Sequence, residues 1–169
     1  MKSLLVGAVA GCALFVSPAL AQEQTASATF IDAEGQEAGT ASLTGTPNGV
    51  LIELEATGLP AEQWVAFHVH ETGSCDAETD HESAGEHFNP ADVEHGYFSE
   101  TGPHAGDMPN QYVDAQGALN AHVFNPFVTL DEGEAGIIGR ALMIHGGGDD
   151  YQSQPSGDAG DRIACAVIE

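Results

Sequence analysis

The chain has 169 residues and carries 26 acidic side chains against 3 basic ones, for a formal net charge of −23. A surface this acidic repels the phosphates of nucleic acid and of anionic lipid, which excludes both as partners. With 42% hydrophobic residues, and its acids scattered through patterned segments, the chain is not a disordered acidic protein either.

Met1 to Ala21 reads as a secretory leader. Lys2 supplies the positive start, Leu4 to Val16 is apolar, and Ala19-Leu20-Ala21 is an A-x-A cleavage site. A membrane span needs about 20 apolar residues. This run is shorter and is broken by Gly7, Gly11 and Pro18. Val9-Ala10-Gly11-Cys12 has the form of a bacterial lipoprotein box, but the apolar stretch runs on past Cys12, so cleavage is expected after Ala21. The expected mature domain is 22–169, in which no segment reads as a membrane span. Losing the leader removes Lys2 and no acid, leaving Arg140 and Arg162 as the basic residues. Cys12 leaves too. Cys75 and Cys165 then form an even pair in an exported chain, which reads as one disulfide. A pair of thiolate metal ligands is the weaker alternative, because no C-x-x-C spacing exists.

After a loose tail over Gln22 to Thr25, the chain is a series of short β-type runs separated by Gly, Pro, Asn and Asp. They are Ser27 to Asp32, Thr40 to Thr44, Gly49 to Ala56, Val65 to Glu71, Ala118 to Val128, Gly136 to Ile144 and Ile163 to Ile168. Alternation is clearest in Val50 to Glu55 and Val65 to His70. No amphipathic helix of normal length is present, so the pattern predicts an all-β sandwich or barrel with no second domain. Two long segments interrupt the strand rhythm: Thr72 to Asp114, and Gly146 to Asp161. Structureless loops of such length are uncommon unless they are functional.

Seven side chains of metal-ligand type fall between His68 and His145: His68, His70, His87, His95, His104, Asp107 and His145. The chain has 8 His, and this set takes six of them. Imidazole suits copper and zinc, and one carboxylate among imidazoles suits zinc. Each site takes about four protein ligands, so seven residues serve two sites if one ligand is shared. An imidazole has two nitrogens and can bridge two ions. In Phe67-His68-Val69-His70, residues two apart on a strand share a face, so both imidazoles point one way while Phe67 and Val69 point into the core. His145 ends a strand, on the side of Met143. His95, His104 and Asp107 fit a zinc site closed by loop residues, with His87 as fourth ligand.

These motifs resemble those of the copper–zinc superoxide dismutase family in its exported bacterial form. The likeness rests on Phe67-His68-Val69-His70, on Gly85-Glu86-His87-Phe88-Asn89-Pro90, on Glu94-His95-Gly96 and on Pro103-His104-Ala105-Gly106-Asp107. It continues through Gly136-Ile137-Ile138-Gly139-Arg140-Ala141-Leu142, His145, and Gly157-Asp158-Ala159-Gly160-Asp161-Arg162-Ile163-Ala164-Cys165. It covers essentially the whole mature chain.

The resemblance implies an eight-stranded Greek-key β-barrel, the missing strand being sought in Ala118 to Val128. It implies one copper and one zinc per subunit. Copper would be held by His68, His70, His87 and His145, and zinc by His87, His95, His104 and Asp107, with His87 bridging. Asp149 would be the carboxylate that links the two sites through their His ligands, and Cys75–Cys165 the intrasubunit disulfide. Arg162 would stand beside copper as the cation that receives superoxide, because guanidinium is permanently charged and offers a fork of donors. Copper would cycle between two oxidation states while superoxide is converted to oxygen and hydrogen peroxide, His87 taking up and returning a proton. The expected location is the periplasm, and the family includes both monomers and homodimers. A rival reading on the same scaffold is a periplasmic copper- or zinc-buffering protein, which needs the ligands but not Arg162. Arg140 is read as structural and His122 as a packing or surface residue. His81, among acids in the first long loop, is open to a stray metal but matches no family ligand. The family's loop lysines are absent from Gly146 to Asp161, which puts long-range steering of an anion in doubt.

Overall fold

The computed structural model describes residues 24–169. The expected leader, with its cleavage point after Ala21 and the alternative at Cys12, lies outside the described residues. The strands are β1 (Thr25–Asp32), β2 (Glu37–Thr46), β3 (Gly49–Ala56), β4 (Gln63–Val65), β5 (Phe67–His70), β6 (Gln111–Val113), β7 (Leu119–Asn125), β8 (Ala141–His145) and β9 (Arg162–Val167). Among the described residues no helix is long and apolar enough to cross a membrane.

Seven strands form one antiparallel sheet in the order β5-β8-β9-β1-β2-β3-β7, and β4 pairs with β6 in a separate two-stranded ribbon. Only Ala66 separates β4 from β5, and β6 packs beside β7, so the ribbon spans the gap between the two edges of the larger sheet. The result is the expected all-β barrel. Its interior follows from period-two alternation. Ala26, Ala28 and Phe30 of β1, Ala41 and Leu43 of β2, and Val50, Ile52 and Leu54 of β3 are buried in one cluster with Phe67, Val69, Leu142 and Ile144. Glu53 and Glu55, on the opposite face of β3, are exposed.

Two departures from the sequence reading concern the strands. The run Val65 to Glu71 is divided at Ala66, whose N–H donates to Gly147 O at 2.7 Å outside the ladder. Ala118 to Val128 holds the single strand β7, and the unanticipated strand is instead Gln111–Val113, inside the first long segment. Only Val113 of that strand is buried, so it lacks the alternation by which a strand is recognised.

β8 sets up the functional face. Leu142 and Ile144 enter the barrel core, while Ala141 and Met143 point to the other side and join Ala84, Cys165 and Cys75 in a second small cluster. The Cys75–Cys165 disulfide closes a loop across 90 positions and ties the first long segment to β9. In the chain-entropy model a loop of that length is worth roughly 4–5 kcal/mol. The other flank of β5 is an edge, with free backbone donors and acceptors. The long segment pairs with it: Val69 N–H donates to Gly106 O (2.9 Å), Phe88 N–H to Val69 O (2.8 Å) and Glu71 N–H to Glu86 O (2.9 Å). Bridges at His70–His87 and His68–Asp107 therefore set two loop residues directly against two strand residues. A Cβ on Gly106 would overlap the Val69 carbonyl, so this close approach requires glycine there.

Candidate metal centre

The seven residues singled out from the sequence converge on one buried region. His68, His70, His87 and His145 place one ligand atom each within 4.8 Å of one another, as do His87, His95, His104 and Asp107. All seven are buried. His87 belongs to both groups, as the count of ligands required.

Hydrogen bonds orient the rings. Nε2 of His68 lies 3.0 Å from Oδ2 of Asp149, and Nε2 of His95 lies 3.0 Å from Oδ1 of the same carboxylate. A carboxylate accepts, so both rings carry a proton on Nε2 and turn Nδ1 inward, where a metal ion can take the place of any proton. His70 uses the opposite tautomer: its Nδ1 donates to Gly85 O at 2.9 Å, and its Nε2 faces Nε2 of His145 at 3.3 Å. His145 does the same through Gly160 O, at 3.3 Å. Nε2 of His87 points into the first group without a partner, while its Nδ1 is 2.9 Å from Oδ1 of Asp107. Nδ1 of His95 and of His104 approach Asp107 at 3.0 and 3.4 Å without hydrogen-bond alignment. Asp107 is itself steadied by the N–H groups of Gly96 and His104, each at 2.9 Å.

Buried polar atoms are normally paired. Here Nδ1 of His68, His95 and His104 and Nε2 of His87 are buried with no hydrogen-bond partner. Four inward-facing ring nitrogens in so small a volume are what a pair of ions would satisfy, and the set of six imidazoles and one carboxylate suits copper and zinc.

The electrostatics divide the rings by neighbour. Burial, then repulsion from His68, lowers His87 and His145 to a pKa of about 3. Burial and the neighbouring His87 and His145 likewise push His70 well below its ordinary value. Burial opposes the charged form of His95 too, but the close Asp107 carboxylate and the hydrogen bond to Asp149 outweigh it and raise the ring to about 9 in the metal-free chain. Burial also opposes charge on the two carboxylates. Contacts with His104, His87 and His95 hold Asp107 far below the carboxylate range, and contacts with His68 and His95 do the same for Asp149. His70, His87 and His145 are thus kept neutral, as ligation requires.

Beside the first group is a cavity of about 690 Å³ lined by His70, His87 and His145 and by Arg162. Arg162 pairs with His145 in the β8–β9 ladder. Its Nη1 donates to His81 O at 3.1 Å, and its Nη2 is 3.5 Å from Oε2 of Glu82. Arg140 is structural: it donates to Gly136 O and Glu71 O, both at 2.8 Å, and lies 3.7 Å over the ring of Phe88. His122 is exposed on β7, 3.4 Å from Glu53. His81 is fully buried, contributes to neither ligand group, and offers its backbone carbonyl to Arg162.

Three residues that sequence reasoning did not find hold this arrangement. Asn110 grips Asp149 twice, accepting from its N–H and donating to its carbonyl, each at 2.9 Å. Gln154 does the same for the backbone of His95, at 2.9 and 3.0 Å. Tyr97 donates to Asp107 O at 3.0 Å. Gly157 passes so close to Asp149 that a Cβ would overlap Oδ1.

Comparison with known proteins points the same way. Residues 37–168 match the family model described as copper/zinc superoxide dismutase. The chain is 49% identical over 168 residues to Cu-Zn superoxide dismutase 2 of Aquifex aeolicus, covering 97% of this chain and 98% of that one. Among solved structures it is similar to a superoxide dismutase-like protein of Bacillus subtilis, with TM-score 0.81 and 34% identity over 85% of this chain and 97% of that one. It is also similar to the Cu/Zn superoxide dismutase of Brucella abortus, with TM-score 0.71 and 29% identity over 86% of this chain and all of the other.

Proposed function

Starting from the fact that the chain belongs to the copper/zinc superoxide dismutase family, we propose a division of roles among the residues of its metal centre. The activity is dismutation of superoxide to oxygen and hydrogen peroxide. Copper, when bound, supplies the one-electron redox chemistry of that reaction, and zinc a fixed positive charge. His68, His70, His87 and His145 are assigned to copper, and His87, His95, His104 and Asp107 to zinc. The observation that carries the assignment is the set of four buried ring nitrogens, on His68, His87, His95 and His104, with no partner of their own.

The roles of the chain's own atoms follow. Asp149 fixes the tautomers of His68 and His95 at once, and so couples the geometry of the two groups. Nε2 of His87 is the atom at which this site can take up and return a proton, because Nδ1 is committed to the second group. Arg162 faces the cavity and offers its fork of donors to a small oxygen anion.

We also assign the chain to the periplasm, with the leader 1–21 removed after Ala21. The disulfide supports that reading, since such bonds persist in oxidising compartments. The acidic surface supports a protein with neither nucleic-acid nor membrane partners once the leader is gone.

The deciding experiment is superoxide decay with purified protein loaded with copper and zinc. Fast, copper-dependent decay is expected. Stoichiometric metal at both sites without catalysis would favour the metal-buffering alternative.

A further inference from the structure

We propose that Glu82 is a built-in competitor for the anion site on Arg162, and so sets how strongly this enzyme captures its substrate. The inference rests on the assignment of Arg162 as the anion-receiving group. Four carboxylates line the cavity, those of Asp80, Glu82, Glu86 and Asp161, and Arg162 is the only cation among its lining residues. Among the described residues only Glu82 forms an ion pair with Arg162, at 3.5 Å from Nη2.

The two partners differ in exposure. The Arg162 side chain is 12% exposed and the Glu82 side chain 70%, so the carboxylate reaches the guanidinium from the solvent side, where an incoming anion must also approach. A carboxylate and superoxide are both oxygen anions that seek the same N–H donors. At 3.5 Å the pair lies beyond hydrogen-bond range for N–H···O, and its exposure to water keeps it weak enough to exchange.

Displacing the carboxylate need not disturb Arg162. Nη1 is held independently by the carbonyl of His81. The backbone of the Glu82–Ala84 turn is anchored by Ala84, which is buried against the disulfide cluster. Glu82 can therefore swing away as the anion arrives while the guanidinium stays in place. In a cavity with a single cationic side chain in its lining, this pair cancels part of that side chain's attraction for an anion.

The test compares Glu82→Gln with Glu134→Gln, which removes the same charge from an exposed position outside the cavity. At low ionic strength, Glu82→Gln should raise kcat/KM for superoxide roughly two- to five-fold, the worth of an exposed ion pair. Glu134→Gln should leave it unchanged. A second readout is the arginine Nε–H resonance in the metal-loaded, reduced protein, titrated with azide as a small monoanion. The Arg162 signal should shift at lower azide concentration in Glu82→Gln than in the parent, while the Arg140 signal stays still. An equal rise in both variants would reduce the effect to overall charge and overturn the proposal. So would a fall in kcat/KM for Glu82→Gln, which would make Glu82 a support for Arg162. Azide that moves Arg162 equally in parent and variant defeats the competition alone. Azide that moves it in neither defeats the anion-site assignment beneath it.

Discussion

Nε2 of His68 and Oδ2 of Asp149 stand 3.0 Å apart, both fully buried, though 81 positions separate them in the chain. The other oxygen of Asp149 is 3.0 Å from Nε2 of His95. One carboxylate thus orients one ring in each ligand group. Asp149→Asn keeps the shape but leaves a single acceptor oxygen, so one of the two rings must lose its partner. Groups that orient metal-binding histidines in this way are worth about 10- to 100-fold in metal affinity. Competition with a calibrated chelator should therefore show weakened binding at one or both sites. Affinities equal to the parent's at both sites would remove Asp149 from this role.

Arg162 contacts no ligand side chain by hydrogen bond and is held by the carbonyl of His81. Arg162→Ala should therefore leave metal content intact, as read by elemental analysis. The variant loses a charged donor to the substrate, an interaction worth about 1.5–3 kcal/mol, so its rate should fall by at least roughly tenfold. Full metal loading with an unchanged rate would contradict the assignment.

The ligand set was legible in the sequence because its signals are local. His68 and His70 share a strand face, His104 and Asp107 share a short loop, and six of the chain's 8 histidines fall in this set. What could not be read is what reaches across the chain. The Asn110 grip on Asp149 spans 39 positions and the Gln154 grip on His95 spans 59, and neither residue stands in a pattern that announces a partner. β6 was hidden for a related reason: Gln111–Val113 is stabilised by pairing with β4, a distant segment, and presents one buried side chain. Residues 65–71 read as one strand because the apolar pattern continues through Ala66, where only the hydrogen bond to Gly147 reveals the break.

The metal-free protein should lose stability in acid. Burial lowers His87 and His145 to about 3 in the folded chain, against an ordinary value near 6.5. Between those values the unfolded chain binds more protons than the folded one, so stability falls as pH drops through that window. His95, raised to about 9, acts in the opposite sense. Its contribution is complete below about 6.5 and is lost only as pH rises toward 9. Asp107 and Asp149, held low, lose theirs only below the ordinary carboxylate range. Between about pH 6.5 and 4 these neutral rings, with His70 lowered in the same way, therefore dominate, at up to roughly 1.4 kcal/mol per pH unit each. Thermal unfolding of metal-free protein at stepped pH should show a falling midpoint below pH 6.5. A flat profile down to pH 4 would mean that the rings are not kept neutral by burial.

Salt should discriminate between long-range and local guidance of the substrate. The chain carries a net charge of −23, and the segment Gly146 to Asp161 contributes acids and no lysine. Superoxide is an anion, so at distances beyond about 10 Å the protein's field should oppose its approach at low ionic strength. Arg162 lines the cavity, so in its proposed role it attracts an anion only at close range. Added salt screens the distant repulsion more than it screens the partly buried guanidinium. The rate of superoxide decay should therefore rise, or fall little, as ionic strength increases from about 0.01 to 0.15 M. A steep fall over that range would show that attraction outweighs repulsion far from the surface, and that the acidic residues are arranged to leave an attractive path to Arg162.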